Sequence, residues 1–568
     1  MTTRRFALAL AVCLALAAGL RLLGITHGWP RNYLADTTVV RAALSIGAGA
    51  NPFAGESLPT QYPYALPYLL VVIYGGFFAL GWLAGAFASV HAFEAYAFAN
   101  PEVFFLIASA VVAAFGCAEV WVVAAVARRL LGERAAVLAA LFTATSLILV
   151  QLSHQPRPHV VAATLILLAL ACTLRYLDAP AHRGWLTLAW LSAGLATSTS
   201  PYGVLSIAIP LAGSIRRRAI PSSLRGNLPG IAVFLVAQVF FYPRLVVGDP
   251  VEYDAATGLF RSYGGLYLDG RFINGAGFPK LLGWLCLYEP VLSVIAALAL
   301  AIALVRRRWH PRWAVTAIFP LLYLLVYGSY EVIHPRYLVP LIGFLAIPAG
   351  GLAARWQEWV AQQVSAPWGP RWRTPAVVAV GLAVVVVPAV QALRFDVLLR
   401  RDDTRTIAER WIRDNLRDSR LIAAEAHGVE LPLDARSVHW AAMHHPDQLG
   451  VKDRHRLRAA AHAPLDDGFP VRRLWYAPGY QHSAIGQLEH QSDIGHVVAV
   501  VPGDRARVDP FYRSLQEQGR LLTRVTPLRP DVRVAETGLP VELQRPLWEL
   551  WKVDRCGPII EIYELRHE

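Results

Sequence analysis

Residues 102–134 read EVFFLIASAVVAAFGCAEVWVVAAVARRLLGER. The stretch 102–126 is apolar and, at about 1.5 Å per helical residue, long enough to cross a hydrocarbon core of about 30 Å. It ends on Arg128, Arg129 and Arg134. This pattern recurs up to about residue 395, with arginine clusters on every second connection between apolar blocks. The clusters are Arg4–Arg5, Arg128–Arg129–Arg134, Arg175–Arg183, Arg216–Arg217–Arg218–Arg225, Arg306–Arg307–Arg308–Arg312 and Arg355–Arg371–Arg373. Basic residues in short loops stay on the cytoplasmic side, so the spacing predicts both class and topology. The chain reads as an α-helical polytopic membrane protein.

Composition agrees, with 55% hydrophobic and 16% charged residues and a net charge of +13. Much of that charge lies in the arginine-bearing loops, where it orients helices and meets anionic lipid. No basic stripe interleaved with aromatics exists, so nucleic acid is not expected as a partner. Cys13, Cys117, Cys172 and Cys286 sit in apolar blocks, and Cys556 is alone in the polar C-terminal third. No CxxC or zinc spacing is present.

The expected spans are 6–24, 102–126, 135–152, 160–177, 185–200, 202–215, 228–246, 279–305, 314–332, 337–354 and 374–394. That makes about 11 transmembrane helices, several near the lower length limit of about 17 residues. Residues 6–24 follow a basic start and are read as an uncleaved first helix rather than a signal peptide. The block 64–90 is apolar enough to span, but a full crossing there would export Arg128, Arg129 and Arg134. With Pro67 at its start and Gly75, Gly76, Gly81 and Gly85 inside, it is expected as an interfacial or partly inserted hairpin. The alternative is a true span, with one of the short pair 185–200 and 202–215 failing to cross.

This topology divides the chain into a membrane domain, 1–394, and an extracytoplasmic soluble α/β domain, 395–568. The protein is placed in the cell's inner (plasma) membrane with the N-terminus cytoplasmic. In the soluble part Asp403 is expected to cap an amphipathic helix with Ile407, Trp411 and Ile412 inward and Arg405, Glu409, Arg413 and Asp414 outward. Strands are expected at 421–424, 496–501 and 559–563, and a helix from Asp509-Pro510. His439, His444, His445, His455 and His462 match no zinc spacing and are read as surface residues.

Three stretches outside the cytoplasm carry the candidate chemistry: 25–63, the short loop around Ser153 to His159, and 247–277. Asp36 directly precedes a helical pattern at Val39, Val40, Ala43 and Leu44. It reads either as an N-cap or as a carboxylate held at the membrane boundary beside His27, Trp29 and Arg31. Arg336 is either an interfacial snorkelling residue beside Tyr337, with Glu331 as a nearby partner, or a phosphate contact. His154 and His159 are either interfacial residues or a metal-binding pair.

Several segments together carry a family resemblance. Asp36 opens an Ala-rich helix, followed by Asn51-Pro52 and Tyr62-Pro63-Tyr64. Then come Ala127-Arg128-Arg129-Leu130-Leu131-Gly132, Leu152-Ser153-His154, and Gly194-Leu195-Ala196 through Tyr202-Gly203. His334-Pro335-Arg336-Tyr337-Leu338-Val339-Pro340-Leu341 and Asp403-Thr404-Arg405 complete the series. In this order they resemble the GT-C-fold glycosyltransferases, and more narrowly the dolichyl-phosphate-mannose–protein mannosyltransferase and aminoarabinose transferase superfamily. The resemblance implies a polyprenyl-phosphate-sugar donor and a lipid, glycan or protein acceptor. It implies Asp36 as the catalytic acid of the first loop, with Arg157, His159, Arg336, His154 and Tyr62 as substrate-binding candidates.

The chain also departs from the family pattern. Thr37 stands where a second acid is common, and His159 stands where the second loop usually ends on an acid. No cofactor is therefore fixed; a divalent cation stays open, but its second acidic ligand is missing. The competing reading is a catalytically degenerate scaffold serving as a lipid-carrier flippase or assembly subunit.

Overall fold

The computed structural model describes the chain apart from residues 1–2, 32, 34–37, 55–61, 216–219, 244–251, 255–258, 262–268, 307–310, 417–419, 426–427, 447–448, 461–464, 466–467, 475–493, 502–509, 533–544 and 566–568. Asp36 lies outside the described residues. The chain packs as two units. The first comprises 1–25, 36–76 and 107–394, and the second 26–35, 77–106 and 395–568.

The helices in chain order are α1 (Thr3–Leu22), α2 (Thr38–Gly47), α3 (Ala65–Leu83), α4 (Val90–Ala99), α5 (Pro101–Leu131), α6 (Glu133–Thr145), α7 (Leu147–Ser153), α8 (Pro158–Asp178), α9 (Gly184–Thr197), α10 (Ala208–Ile215), α11 (Ile220–Phe241), α12 (Gly277–Tyr288), α13 (Pro290–Val305), α14 (Pro311–Gly328), α15 (Val339–Trp368) and α16 (Arg373–Leu399). Among the described residues six helices are long and apolar enough to cross a bilayer, and up to eight if each of two bent pairs is one span. The stretches Pro201–Ile215, Gly226–Phe241 and Arg312–Gly328 are apolar but shorter. The span expected over 279–305 is instead two helices, α12 and α13, bent by 120° at Glu289. That bend has a local cause, because Pro290 starts a new helix and cannot continue the old one.

The hairpin expected at 64–90 is an unbroken helix over Ala65–Leu83. Its glycines are tolerated because helix propensity is a weak force against an apolar environment. The stop comes at Gly85, whose φ of +75° supplies the left-handed turn that ends the helix. At 19 residues α3 is long and apolar enough to cross a bilayer. Residues 77–106 pack into the second unit together with 26–35. Within that unit Phe77 meets Phe87 at 5.8 Å, Phe93 at 6.1 Å and Phe104 at 6.2 Å.

The second unit is built on a mixed sheet. Two three-residue strands of the long loop, β1 (Glu252–Asp254) and β2 (Leu259–Arg261), form a separate antiparallel pair. The main sheet uses β3 (Leu421–Ala424), β4 (Val471–Arg473), β5 (Ile494–Val501), β6 (Gly519–Val525) and β7 (Ile559–Leu565), in the order β4-β3-β5-β7-β6. The pairings of β3 with β4 and β5 are parallel, and those of β7 with β5 and β6 antiparallel. Helix α17 (Thr404–Asn415) presses Ala408 and Ile412 onto Ile422, Val498, Ile560 and Ile562. Helices α18 (Ala435–His444), α19 (Val451–Ala460) and α20 (Pro510–Gln518) complete the unit.

Asp403 caps α17 as expected, accepting from the Arg405 amide at 2.9 Å. The expected outward face of α17 needs correcting, because Arg405 and Glu409 are buried. Each is drawn in by an opposite charge. Arg405 grips Asp403 through Nε (2.8 Å) and Nη2 (2.9 Å) and lies over the Tyr33 ring. Glu409 accepts from both Arg31 (2.6 and 3.1 Å) and Arg413. The His27 ring faces Asp403 at 3.3 Å and the Leu399 carbonyl at 2.8 Å. His27 and Arg31 are thereby bound to the cap and first turns of α17. Gly557, at φ +104°, leaves the room that Thr404 and Asp403 occupy. Ser437 is buried, and its hydroxyl accepts from the Val471 amide.

If 77–106 and 395–568 share one side of the membrane, cysteines at His91 (94% exposed) and Met443 (74% exposed) must react with an impermeant thiol reagent from the same side. A cysteine at exposed Gln363, separated from Phe395 by the span of α16, should react only from the other. The native Cys556 stays silent, because burial pushes its thiol up to about 12. Labelling of His91→Cys and Met443→Cys from opposite sides would mean that α3 crosses.

Candidate active site

The site begins with a broken helix. α6 and α7 are bent by 56° at Ser146, and the ends that the break exposes find opposite partners. The last carbonyls of α6 receive Arg21, fully buried, which donates to Thr143 (3.2 Å) and Ala144 (3.0 Å). The first amides of α7 receive a carboxylate: Glu289 accepts from Ile148 at 3.1 Å and from the Ser146 hydroxyl at 2.6 Å. A cation at a helix C-terminus and an anion at an N-terminus are the signs that the helix dipole favours.

The aimed α7 delivers the loop that follows. His154 has both ring nitrogens facing backbone carbonyls, Val150 at 2.8 Å and Leu23 at 2.9 Å, so it ties α7 to the end of α1. Arg157 is the extended residue before α8, and Pro158 starts that helix. His159 follows in the first turn.

His159 is 2% exposed, and among the described residues neither ring nitrogen has a hydrogen-bond partner. Arg157, Arg336 and His334 all lie within electrostatic range of its ring. Aromatic rings wall it in. Tyr62 stands edge-on at 5.8 Å, Tyr202 lies stacked at 6.0 Å, and Tyr337 is edge-on at 6.4 Å. The Tyr202 hydroxyl donates to the His159 carbonyl at 3.1 Å. Behind them Tyr323 and Tyr327 stack at 4.7 Å, and the Tyr323 hydroxyl donates to the Tyr337 carbonyl at 2.9 Å. Glu331, a suggested partner of Arg336, instead accepts from Asn274 at 2.7 Å.

Four of the five substrate-binding candidates thus gather here: Arg157, His159, Arg336 and Tyr62. Tyr202, Tyr323 and Tyr327 add to them. The i, i+4 spacing of Tyr323 and Tyr327 was the available signal, but on an apolar helix it reads as ordinary packing. Asp36 directly precedes α2, whose Ala42 shares a buried cluster with Tyr64, two residues beyond Tyr62. Guanidinium and imidazole groups under an aromatic wall suit an anion such as phosphate. They do not suit magnesium or manganese, which take oxygen ligands. Among the described residues no three histidine, cysteine, aspartate or glutamate side chains are gathered to hold a metal ion.

Removing the carboxylate that caps α7 should loosen this loop. Glu289→Ala is expected to cost about 1–2 kcal/mol of stability, as lost helix caps do, and Glu289→Gln less. Thermal unfolding in detergent measures it; two unshifted transitions would show that the break needs no cap.

Residues 81–246 match the model of the family described as dolichyl-phosphate-mannose-protein mannosyltransferase. Comparison with curated proteins finds no match. Among solved structures, ArnT from Cupriavidus metallidurans bound to undecaprenyl phosphate is 16% identical, covering 99% of this chain and 98% of that one, with a TM-score of 0.47. The Archaeoglobus fulgidus oligosaccharyltransferase tethered with an acceptor peptide is 12% identical over 92% of this chain and 73% of its own, also at 0.47. The oligosaccharyltransferase AglB of the same organism, in complex with an inhibitory peptide and a dolichol-phosphate, is 11% identical over 87% and 69%, again at 0.47. These are distant likenesses. Over residues 81–246 this membrane protein is similar to the dolichyl-phosphate-mannose-protein mannosyltransferases, a family of GT-C-fold membrane glycosyltransferases.

Proposed function

We propose that the chain transfers a sugar from a polyprenyl-phosphate-linked donor to a lipid, glycan or protein acceptor on the extracytoplasmic face. The observation that carries this reading is buried His159, its ring nitrogens unpartnered among the described residues, set among Arg157, Arg336 and His334 behind tyrosines. The family match over 81–246 supports it.

In the reaction, an acceptor oxygen or nitrogen attacks the anomeric carbon of the sugar. The bond from that carbon to the phosphate oxygen breaks, and polyprenyl phosphate leaves with the electron pair. Asp36 takes the acceptor proton, as the first-loop acid of the resembling family does. Arg157 and Arg336 stabilise the charge that grows on the leaving phosphate, and bidentate donation makes guanidinium groups effective there. Tyr62, Tyr202 and Tyr337 exclude water and strengthen those contacts. The arginine distribution supports a location of this face outside the cytoplasm.

Membranes containing the protein, incubated with a panel of labelled polyprenyl-phosphate sugars, test the proposal. One donor should be consumed, and Asp36→Asn should slow its use by about 10² or more with expression unchanged, the usual weight of a general base. Near-normal turnover by Asp36→Asn would remove Asp36 as the base. If no donor is consumed, the degenerate scaffold becomes the better reading, because Thr37 and His159 stand where acids are expected.

A further inference from the structure

At the arginine-bearing end of the first unit, a cavity of about 600 Å³ opens among α1, α5, α8 and α9. Its body is apolar, with Leu10, Val122, Leu168, Ala171 and Leu188 on the walls. Arg128, Arg129 and Arg175 also line it. Two of these guanidinium groups are laid flat on aromatic rings: Arg128 over Phe6 and Arg175 over Trp185, each at 4.5 Å from the ring centre.

Nearby acids do not neutralise this cluster. Arg128 pairs with Glu133 at 2.8 Å, whereas Asp178 is shared between Arg129 at 3.1 Å and Arg312 at 2.6 Å. Arg175 has no carboxylate within ion-pair distance among the described residues. Arg129 and Arg312 thus share one carboxylate, and Arg175 stacks on Trp185 in place of an acid. An apolar chamber lined at one end by surplus cation is complementary to an amphiphile with an acyl chain and an anionic head. Stacking on Trp185 also fixes Arg175 in place, which lowers the entropy cost of gripping a phosphate.

We propose that this cavity binds an anionic phospholipid of the leaflet at the arginine-rich face. The acyl chain enters between α1, α5, α8 and α9, and the phosphodiester rests on Arg175 with Arg129 beside it. The site is separate from the His159 cluster, and it stands or falls independently of the transferase reading.

The test is thermal unfolding of the full chain in detergent, titrated with short-chain phosphatidylglycerol, phosphatidylcholine or inorganic phosphate. Phosphatidylglycerol should raise the midpoint saturably, and the other two should not. Arg175→Gln should weaken the apparent affinity about fivefold, the weight of one cation at a membrane surface. Ala171→Phe, which fills the chamber, should abolish the effect, whereas exposed Arg373→Gln should leave it unchanged. If Ala171→Phe fails to fold, Arg175→Gln decides alone. Equal shifts with phosphatidylcholine, or with phosphate alone, would overturn the proposal, as would an unchanged affinity in Arg175→Gln.

Discussion

The break at Ser146 is the constraint on which the candidate site depends. A helix interrupted inside a membrane leaves carbonyls on one side and amides on the other, and no water is there to satisfy them. Arg21 covers the carbonyls and Glu289 the amides, so each buried charge meets a backbone dipole of the opposite sign. The 56° bend then aims α7 so that Arg157 and His159 enter the tyrosine-walled cluster instead of continuing along a straight span. Glu289 sits at a second bend of its own, between α12 and α13, so one side chain couples two bent helix pairs.

A comparable hub organises the second unit. Asp403 caps α17, binds the Arg405 guanidinium and faces His27, so the residues just after α1 are secured to the helix that opens the soluble part. Arg31 and Glu409 repeat the bond one turn along. These are partly or fully buried charge pairs, whose value lies more in fixing one arrangement than in net stability. They explain how so polar a stretch as His27 to Arg31 is held in the second unit.

Much of the helical framework was legible because its cause is local. Apolar length and arginine spacing place 160–177 within α8 and 374–394 within α16 from residues that are adjacent in the chain. Asp403 was legible for the same reason, since a cap acts over three residues. The breaks were not, because their partners are distant: Arg21 reaches Ala144 across 123 positions and Glu289 reaches Ile148 across 141. Arg405 and Glu409 look solvent-facing by helical period, and only partners from elsewhere turn them inward. At the site, Arg157, His159, Arg336 and Tyr62 could be named by resemblance, but the rest of the tyrosine wall could not, since it joins residues 202, 323, 327 and 337 from separate elements.

The proposed transfer requires that the His159 cluster receive the phosphate of a polyprenyl carrier. The most direct measurement is equilibrium binding of a polyprenyl phosphate to the purified chain, compared with the Arg336→Ala and Arg157→Ala variants. Binding should be saturable, weaken with added salt and lose about tenfold or more in each variant, as expected when a charge-assisted contact is removed. Binding of equal strength in wild type and both variants would contradict that requirement and place the carrier elsewhere.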